Sequence, residues 1–228
     1  YCARMVDSHG KISHWKRNSE FYKLAPLLKE LYKQDLLDRE NIIAFIQGGD
    51  IGVLREFEEI VKIFLKNGLK EFWIVSNNIV YQPMVKKLLD ENRALFVTTL
   101  DCGSREMYKK IKRVDKFNDY IKNIKKYLHN CHYKDRLHVK YIVVENLNDN
   151  VKEITDFINL MSDIGVENVE FMIDNKYLLF TDLDKTPLPA HYKDLYLEFV
   201  RLCEEKNINI HYWERTRFVI DKYFLNKI

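Results

Sequence analysis

Two of the chain's seven glycines stand side by side at Gly48-Gly49, just after an apolar run and just before Asp50. Without Cβ atoms the backbone there admits a ligand at close range and adopts positive φ at little cost. The neighbouring carboxylate can accept charge-assisted hydrogen bonds from a ligand ammonium. The same residues also suit a tight turn with Asp50 as a helix cap. They form neither a G-x-G-x-x-G dinucleotide fingerprint nor a P-loop, because no Gly-Lys-Ser/Thr is present. Polar groups recur after other apolar runs. Ser76-Asn77-Asn78 is one set; Thr98, Thr99, Asp101, Cys102 and Gly103 are another; Glu145, Asn146, Asn148 and Asp149 are a third. Asp50 and Asp101 are the carboxylates an acid–base enzyme would use.

The remaining reactive types read more plainly. Cys2, Cys102, Cys131 and Cys203 lie far apart, which fits reduced thiols rather than a disulfide framework, and they form no complete metal cluster. Cys102 reads as a buried structural thiol. His9 and His14 read as solvated loop residues. His129, Cys131, His132 and Tyr133 read as the C-terminal boundary of a helix, where His suits the dipole. Arg215 and Arg217 read as surface charge. Lys122 to Lys126 reads as the solvated face of a helix whose apolar side is Ile121, Ile124 and Leu128.

These groups need elements to position them. Strand-length apolar runs occur at Ile42–Gln47, Glu71–Val75, Ala94–Leu100, Leu137–Val144 and Asn168–Ile173, with a weaker one at Ile208–Trp213. Their lack of strict alternation predicts strands of a parallel sheet. Between them lie helical patterns. Leu54, Phe57, Val61, Phe64 and Leu65 make one stripe, ended by Asn67-Gly68. Val151, Ile154, Phe157, Ile158 and Met161 make another, with Asn150 and Glu153 as a capping pair and Gly165 after it. Phe21 to Leu37, Met84 to Leu89, Phe117 to Leu128 and Tyr192 to Cys203 complete the set. The repeat predicts right-handed βα units, either an open doubly wound sheet or a full or partial barrel. Both place function at the C-terminal ends of the strands, where the polar sets lie.

Composition excludes several classes. The 228 residues suit one globular domain with a small extension, and 30 aromatic residues with four prolines exclude a mainly disordered state. A net charge of +3 is no nucleic-acid signature. The longest run without charge, Phe72 to Val85, has 14 residues and contains Pro83, short of the roughly 20 a membrane span needs. A cytoplasmic protein with no nucleic-acid or membrane partner is expected.

The ordered motifs resemble the core domain of radical S-adenosylmethionine (SAM) enzymes. Tyr1-Cys2 is similar to the end of that family's C-x3-C-x2-C loop; the resemblance implies either a first strand and two cysteines upstream of Tyr1 or a degenerate site. Gly48-Gly49-Asp50-Ile51 resembles Gly-Gly-Glu-Pro after the second strand, and Ser76-Asn77-Asn78 resembles Thr-Asn-Gly after the third. Thr99-Leu100-Asp101-Cys102-Gly103-Ser104 resembles Ser-Leu-Asp-x-Gly after the fourth. Tyr108, Ile111-Lys112, Asp115 and Phe117 follow as in E-x-Y-x-x-I-K-G-x-D-x-F. Lys140 and Asn146 lie where the fifth strand often has Lys and then Asn. The departures are Asp50 for Glu, Ile51 for Pro and Thr99 for Ser, and Cys2 is the single candidate of the cysteine trio.

The resemblance implies a partial (βα)6 TIM-like barrel over residues 1–180 and a helical and strand extension over residues 181–228. It implies a [4Fe–4S] cluster with Cys2 as an iron ligand and SAM as cofactor, yielding a 5′-deoxyadenosyl radical that abstracts hydrogen from substrate. Gly48, Gly49 and Asp50 would hold the SAM ammonium, and Tyr1 would flank the cluster or SAM. Thr99 would face the SAM ribose or carboxylate. Ser76, Asn77, Asp101 and Lys140 would face SAM or substrate, and Asn146 the adenine side. A flavodoxin or ferredoxin would supply electrons. The substrate, peptide or small molecule, stays open. Two other readings stand beside this one: a cluster-free βα-barrel acid–base enzyme using Asp50 and Asp101, and a non-catalytic module that binds a nucleoside-like ligand.

Overall fold

Each apolar run becomes a strand of one parallel sheet in the computed structural model, which describes residues 23–37, 43–46, 50–174, 177 and 188–225. The strands are β1 (Ile43–Ile46), β2 (Glu71–Ser76), β3 (Ala94–Thr99), β4 (Leu137–Val143), β5 (Asn168–Ile173) and β6 (Asn209–His211). The helices are α1 (Leu24–Lys33), α2 (Phe57–Lys66), α3 (Pro83–Asp90), α4 (Arg105–Lys112), α5 (Phe117–Leu128), α6 (Val151–Ile164), α7 (His191–Glu205) and α8 (Glu214–Val219).

Spatial order equals chain order, β1 to β6, and every pair is parallel. A doubly wound sheet reverses its order at a switch point; this one does not, which is the progression of a barrel wall. Among the described residues β1 and β6 are its edges, so the wall is an unclosed, partial barrel. The weak run near residue 210 is a true strand: Asn209, Ile210 and His211 register with Asn168, Val169 and Glu170. Within the residues described beyond 187, β6 therefore continues the sheet.

Alternation sorts the strand residues onto two faces. Phe72, Ile74, Phe96, Val139, Tyr141, Val143, Val169, Phe171 and Ile173 lie in one buried core. They pack outward on helices, through Phe96 with Tyr127 of α5 at 5.1 Å, Tyr141 with Phe157 of α6 at 4.9 Å and Phe171 with Phe199 of α7 at 5.0 Å between ring centroids. The alternate residues form the inner face. Val75, Thr99 and Ile142 are half-buried there and Trp73 is exposed.

Local chemistry sets the helix ends. The Ser104 hydroxyl accepts from the Met107 amide at 3.2 Å and opens α4, and the Asn150 side chain accepts from the Glu153 amide at 3.1 Å and opens α6. Gly165, at φ 78°, ends α6. Gly68 is also left-handed, at φ 95°, but eight further positive-φ positions among the described residues carry no glycine: Asp35, Asn78, Asn92, Asp101, Arg113, Asn130, Asn146 and Asn207. Gly103 answers a different demand. A Cβ there would lie 2.1 Å from the Asp156 carbonyl carbon and 2.3 Å from the Phe157 nitrogen, so α6 rests directly on the loop after β3.

Candidate functional site at the strand ends

Asp50 ties the loop after β1 to the loop after β2. Its Oδ1 accepts from the Gly52 amide at 2.8 Å and the Ser76 hydroxyl at 3.4 Å; its Oδ2 accepts from the amides of Ile79 at 2.7 Å and Val80 at 3.3 Å. Ser76 Oγ also accepts from the amides of Asn78 at 3.2 Å and Ile51 at 3.4 Å. A carboxylate offers about four acceptor positions, and here four donors occupy them. Asp50 thus fixes the loop geometry while its neighbours Gly48 and Gly49 lie outside the described residues, as do Tyr1 and Cys2. Asn77 is exposed beside this junction. Asn78 is buried and is held by Asn123, whose amide donates to the carbonyls of Asn78 at 3.0 Å and Ile79 at 3.1 Å.

Asp101 is also consumed by structure. It is fully buried, accepts from the Ile142 amide at 2.8 Å and pairs with Lys112 of α4 at 2.6 Å. Its carbonyl accepts from the Asn148 side chain at 2.7 Å. Asn148 also donates to the Ile142 carbonyl at 2.8 Å and accepts from the Val144 amide at 2.6 Å. The loops after β3 and β4 are thereby locked together, and Asn146 sits exposed at the bend with φ 62°. Cys102 beside Asp101 is buried, donates to the Leu100 carbonyl, and has its thiol pushed far up by burial.

Thr99 and Lys140 are register partners on β3 and β4 and share the inner face. Lys140 is 5% exposed and enters a polar cluster whose other members the sequence analysis did not single out. Its ammonium lies 3.2 Å from Glu170 Oε2 and 4.1 Å from the centre of the Trp213 ring. Trp213 donates to the same Glu170 oxygen at 2.7 Å, and His138 Nδ1 meets the other at 3.2 Å. His211 stacks on His138 with centroids 4.2 Å apart, and its Nε2 meets Asn168 Oδ1 at 2.7 Å. Burial pulls Lys140 below the ordinary lysine value, against the pull of Glu170. Burial would raise Glu170, yet the bond from His138, the Lys140 charge and the bond from Trp213 outweigh it and hold the carboxyl below its ordinary value. The sequence marks only that polar residues recur two apart in apolar strands, His138 with Lys140 and Asn168 with Glu170; that they meet follows from the register.

Burial, and next the adjacent His138, also hold His211 below the ordinary 6.5, with Glu170 opposing. The unfolded chain takes up this proton first, so the contribution of neutral His211 is present above about pH 6.5 and is lost as pH falls towards the folded value. The melting temperature, followed by circular dichroism, is expected to fall between about pH 7 and pH 5. The slope should be shallower in His211→Gln; equal slopes would place the proton elsewhere.

No family model matches the chain. A curated relative, the molybdenum cofactor biosynthesis protein moc-5 of Caenorhabditis elegans, is 29% identical over 130 residues, which is 56% of this chain and 21% of that protein. Among solved structures, Streptococcus suis SuiB superposes with TM-score 0.58 at 11% identity, over 83% of this chain and 42% of its own. SuiB has also been solved bound to its precursor peptide SuiA. The enzyme anSMEcpe with bound AdoMet gives 0.59 at 14% identity, over 90% and 57%. A radical SAM methyltransferase from Sphaerobacter thermophilus gives 0.54 at 12%, over 81% and 54%. The chain spans about a fifth of the curated relative and less than two thirds of each of these three solved chains.

Proposed function

We infer, from the core fold that this chain shares with radical SAM enzymes, that it is the SAM-binding core of such an enzyme. The observation that carries the reading is the sequential, one-directional sheet with its motifs at successive strand ends in the family's order. When bound, SAM and a [4Fe–4S] cluster would supply the hydrogen-abstraction chemistry, one donated electron splitting the sulfonium C–S bond with methionine as the leaving group. Thr99, half-buried on the inner face, suits a ligand that carries hydroxyl groups, as SAM does, and its register partner Lys140, engaged by Glu170 and Trp213, stiffens that face. Gly48 and Gly49 are assigned to the SAM ammonium, next to Asp50, whose carboxylate is held by backbone amides and Ser76; exposed Asn77 and Asn146 complete the ends of the site, and buried Asp101 holds the loop after β3 in place.

The described cysteines do not fit a cluster. Cys102, Cys131 and Cys203 are buried and far apart, and burial raises all three thiols, that of Cys203 to about 12. Among the described residues no three His, Cys, Asp or Glu side chains are grouped to hold a metal. The cluster is therefore assigned to Cys2, with Tyr1 beside it. A flavodoxin- or ferredoxin-like donor and a peptide or small-molecule substrate belong to this reading; SuiB's peptide complex supports the peptide. No helix among the described residues is long and apolar enough to cross a membrane. The acid–base alternative loses its residues, because Asp50 and Asp101 spend their carboxylates on backbone amides, Ser76 and Lys112.

The test is anaerobic iron and sulfide reconstitution of the full-length protein beside Cys2→Ala. The expected result is about four irons per chain, their loss in Cys2→Ala, and release of 5′-deoxyadenosine from SAM with dithionite. A full-length protein that takes up no cluster overturns the reading.

A further inference from the structure

The outer surface holds a second feature, along α5. A groove of about 820 Å³ runs along α5, lined by Tyr81, Lys86, Phe117, Asn118, Ile121, Lys122, Lys125, Lys126, His129 and Leu160. Its apolar members, Tyr81, Phe117, Ile121 and Leu160, are each only half-buried. Its rim is basic, and no carboxylate lines it. Lys122, Lys125 and Lys126 are exposed.

A lysine-rich helix face is usually just solvated, but several basic residues on this chain's other helices are matched with acids one turn away. Lys62 pairs with Glu58, Lys87 with Glu91, Lys152 with Asp156 and Arg217 with Asp221. On α5 the acid Asp119 pairs with Lys116 instead, ahead of the groove. Lys126 lies over the Tyr81 ring at 4.8 Å, and Lys86 is held by Asp90. The result is a concave surface with an apolar floor and a one-signed rim, a combination that fits an amphipathic helix laid in a groove. The apolar floor and the near-balanced net charge of +3 argue for protein over nucleic acid.

We propose that this groove docks an acidic amphipathic segment of a partner protein, its apolar residues on Phe117, Ile121 and Leu160 and its carboxylates against Lys122, Lys125 and Lys126. α5 has 12 residues and so spans about 18 Å, which sets the reach at about three helical turns.

The test uses a fluorescein-labelled helical peptide of about 14 residues, with leucines on one stripe and glutamates flanking it. Binding to the full-length protein is read by anisotropy. The expected result is saturable binding that weakens about tenfold in the Lys122→Glu, Lys125→Glu, Lys126→Glu triple variant and weakens with added salt. Ile121→Asp should weaken it without removing a positive charge, and a peptide with lysines for glutamates should not bind. Hydrogen exchange should slow over residues 117–129 with peptide present. The three lysines are exposed, so the triple variant keeps its fold, checked by circular dichroism. Equal binding by wild type and triple variant, no saturable binding at all, or preference for a single-stranded oligonucleotide over the peptide would each overturn the proposal.

Discussion

Glu170→Ala is expected to lower the free energy of unfolding by about 3–5 kcal/mol, the range for removing one partner of a buried ion pair. The carboxylate serves Lys140, His138 and Trp213 together, and Lys140 is 5% exposed, so alanine leaves a cation in a pocket that cannot hydrate it. In a chain of this length that corresponds to a fall of roughly 10 °C in melting temperature. The double variant Lys140→Met, Glu170→Leu separates charge from shape. Apolar side chains of similar volume replace a buried pair at little cost, so the double variant should melt well above the single one, short of wild type by the lost Trp213 and His138 bonds. A single variant within about 2 °C of wild type would show that water reaches the ammonium.

Gly103→Ala is expected to cost about 3 kcal/mol, at the upper end for overpacking, because the new methyl meets main chain rather than a movable side chain. Its Cβ would lie 2.1 Å from the Asp156 carbonyl carbon, so α6 would have to move. That shift would lift Phe157 from Tyr141, now at 4.9 Å. Gly165→Ala is the comparison: open space surrounds it, and the expected cost is only about 1–2 kcal/mol for a left-handed alanine. Urea unfolding of both variants checks the order; Gly165→Ala proving the costlier would mean that the loop after β3 yields.

Where burial and local chemistry agreed, the elements were legible. Phe117–Leu128 and Asn168–Ile173 form a helix and a strand with those ends, and Asn150 with Gly165 brackets α6. α4 escaped notice because only Tyr108 and Ile111 are buried in it, too few to make a stripe; Ser104 three residues before Met107 was the available sign. α8, six residues long, buries only Thr216 and Val219 and escaped in the same way. The pattern from Phe21 to Leu37 overran α1, which spans Leu24–Lys33. At the strand ends, residue type located Asp50 and Asp101 but not their work. A carboxylate in a loop reads alike whether it faces a ligand or its own backbone, and only the fold brings the amides of Ile79 and Ile142 against them. The inner-face cluster depends on register across β4, β5 and β6, which no local pattern carries.

The left-handed positions outside glycine have a consequence for the chain before it folds. Five are asparagine and two aspartate, whose short side chains tolerate that conformation. Glycine at each site would relieve the local strain yet widen the range of backbone states open to the denatured ensemble. With only seven glycines in 228 residues, this polypeptide enters folding with less disorder to lose at its turns, and asparagine-to-glycine replacements there should stabilise it little or not at all.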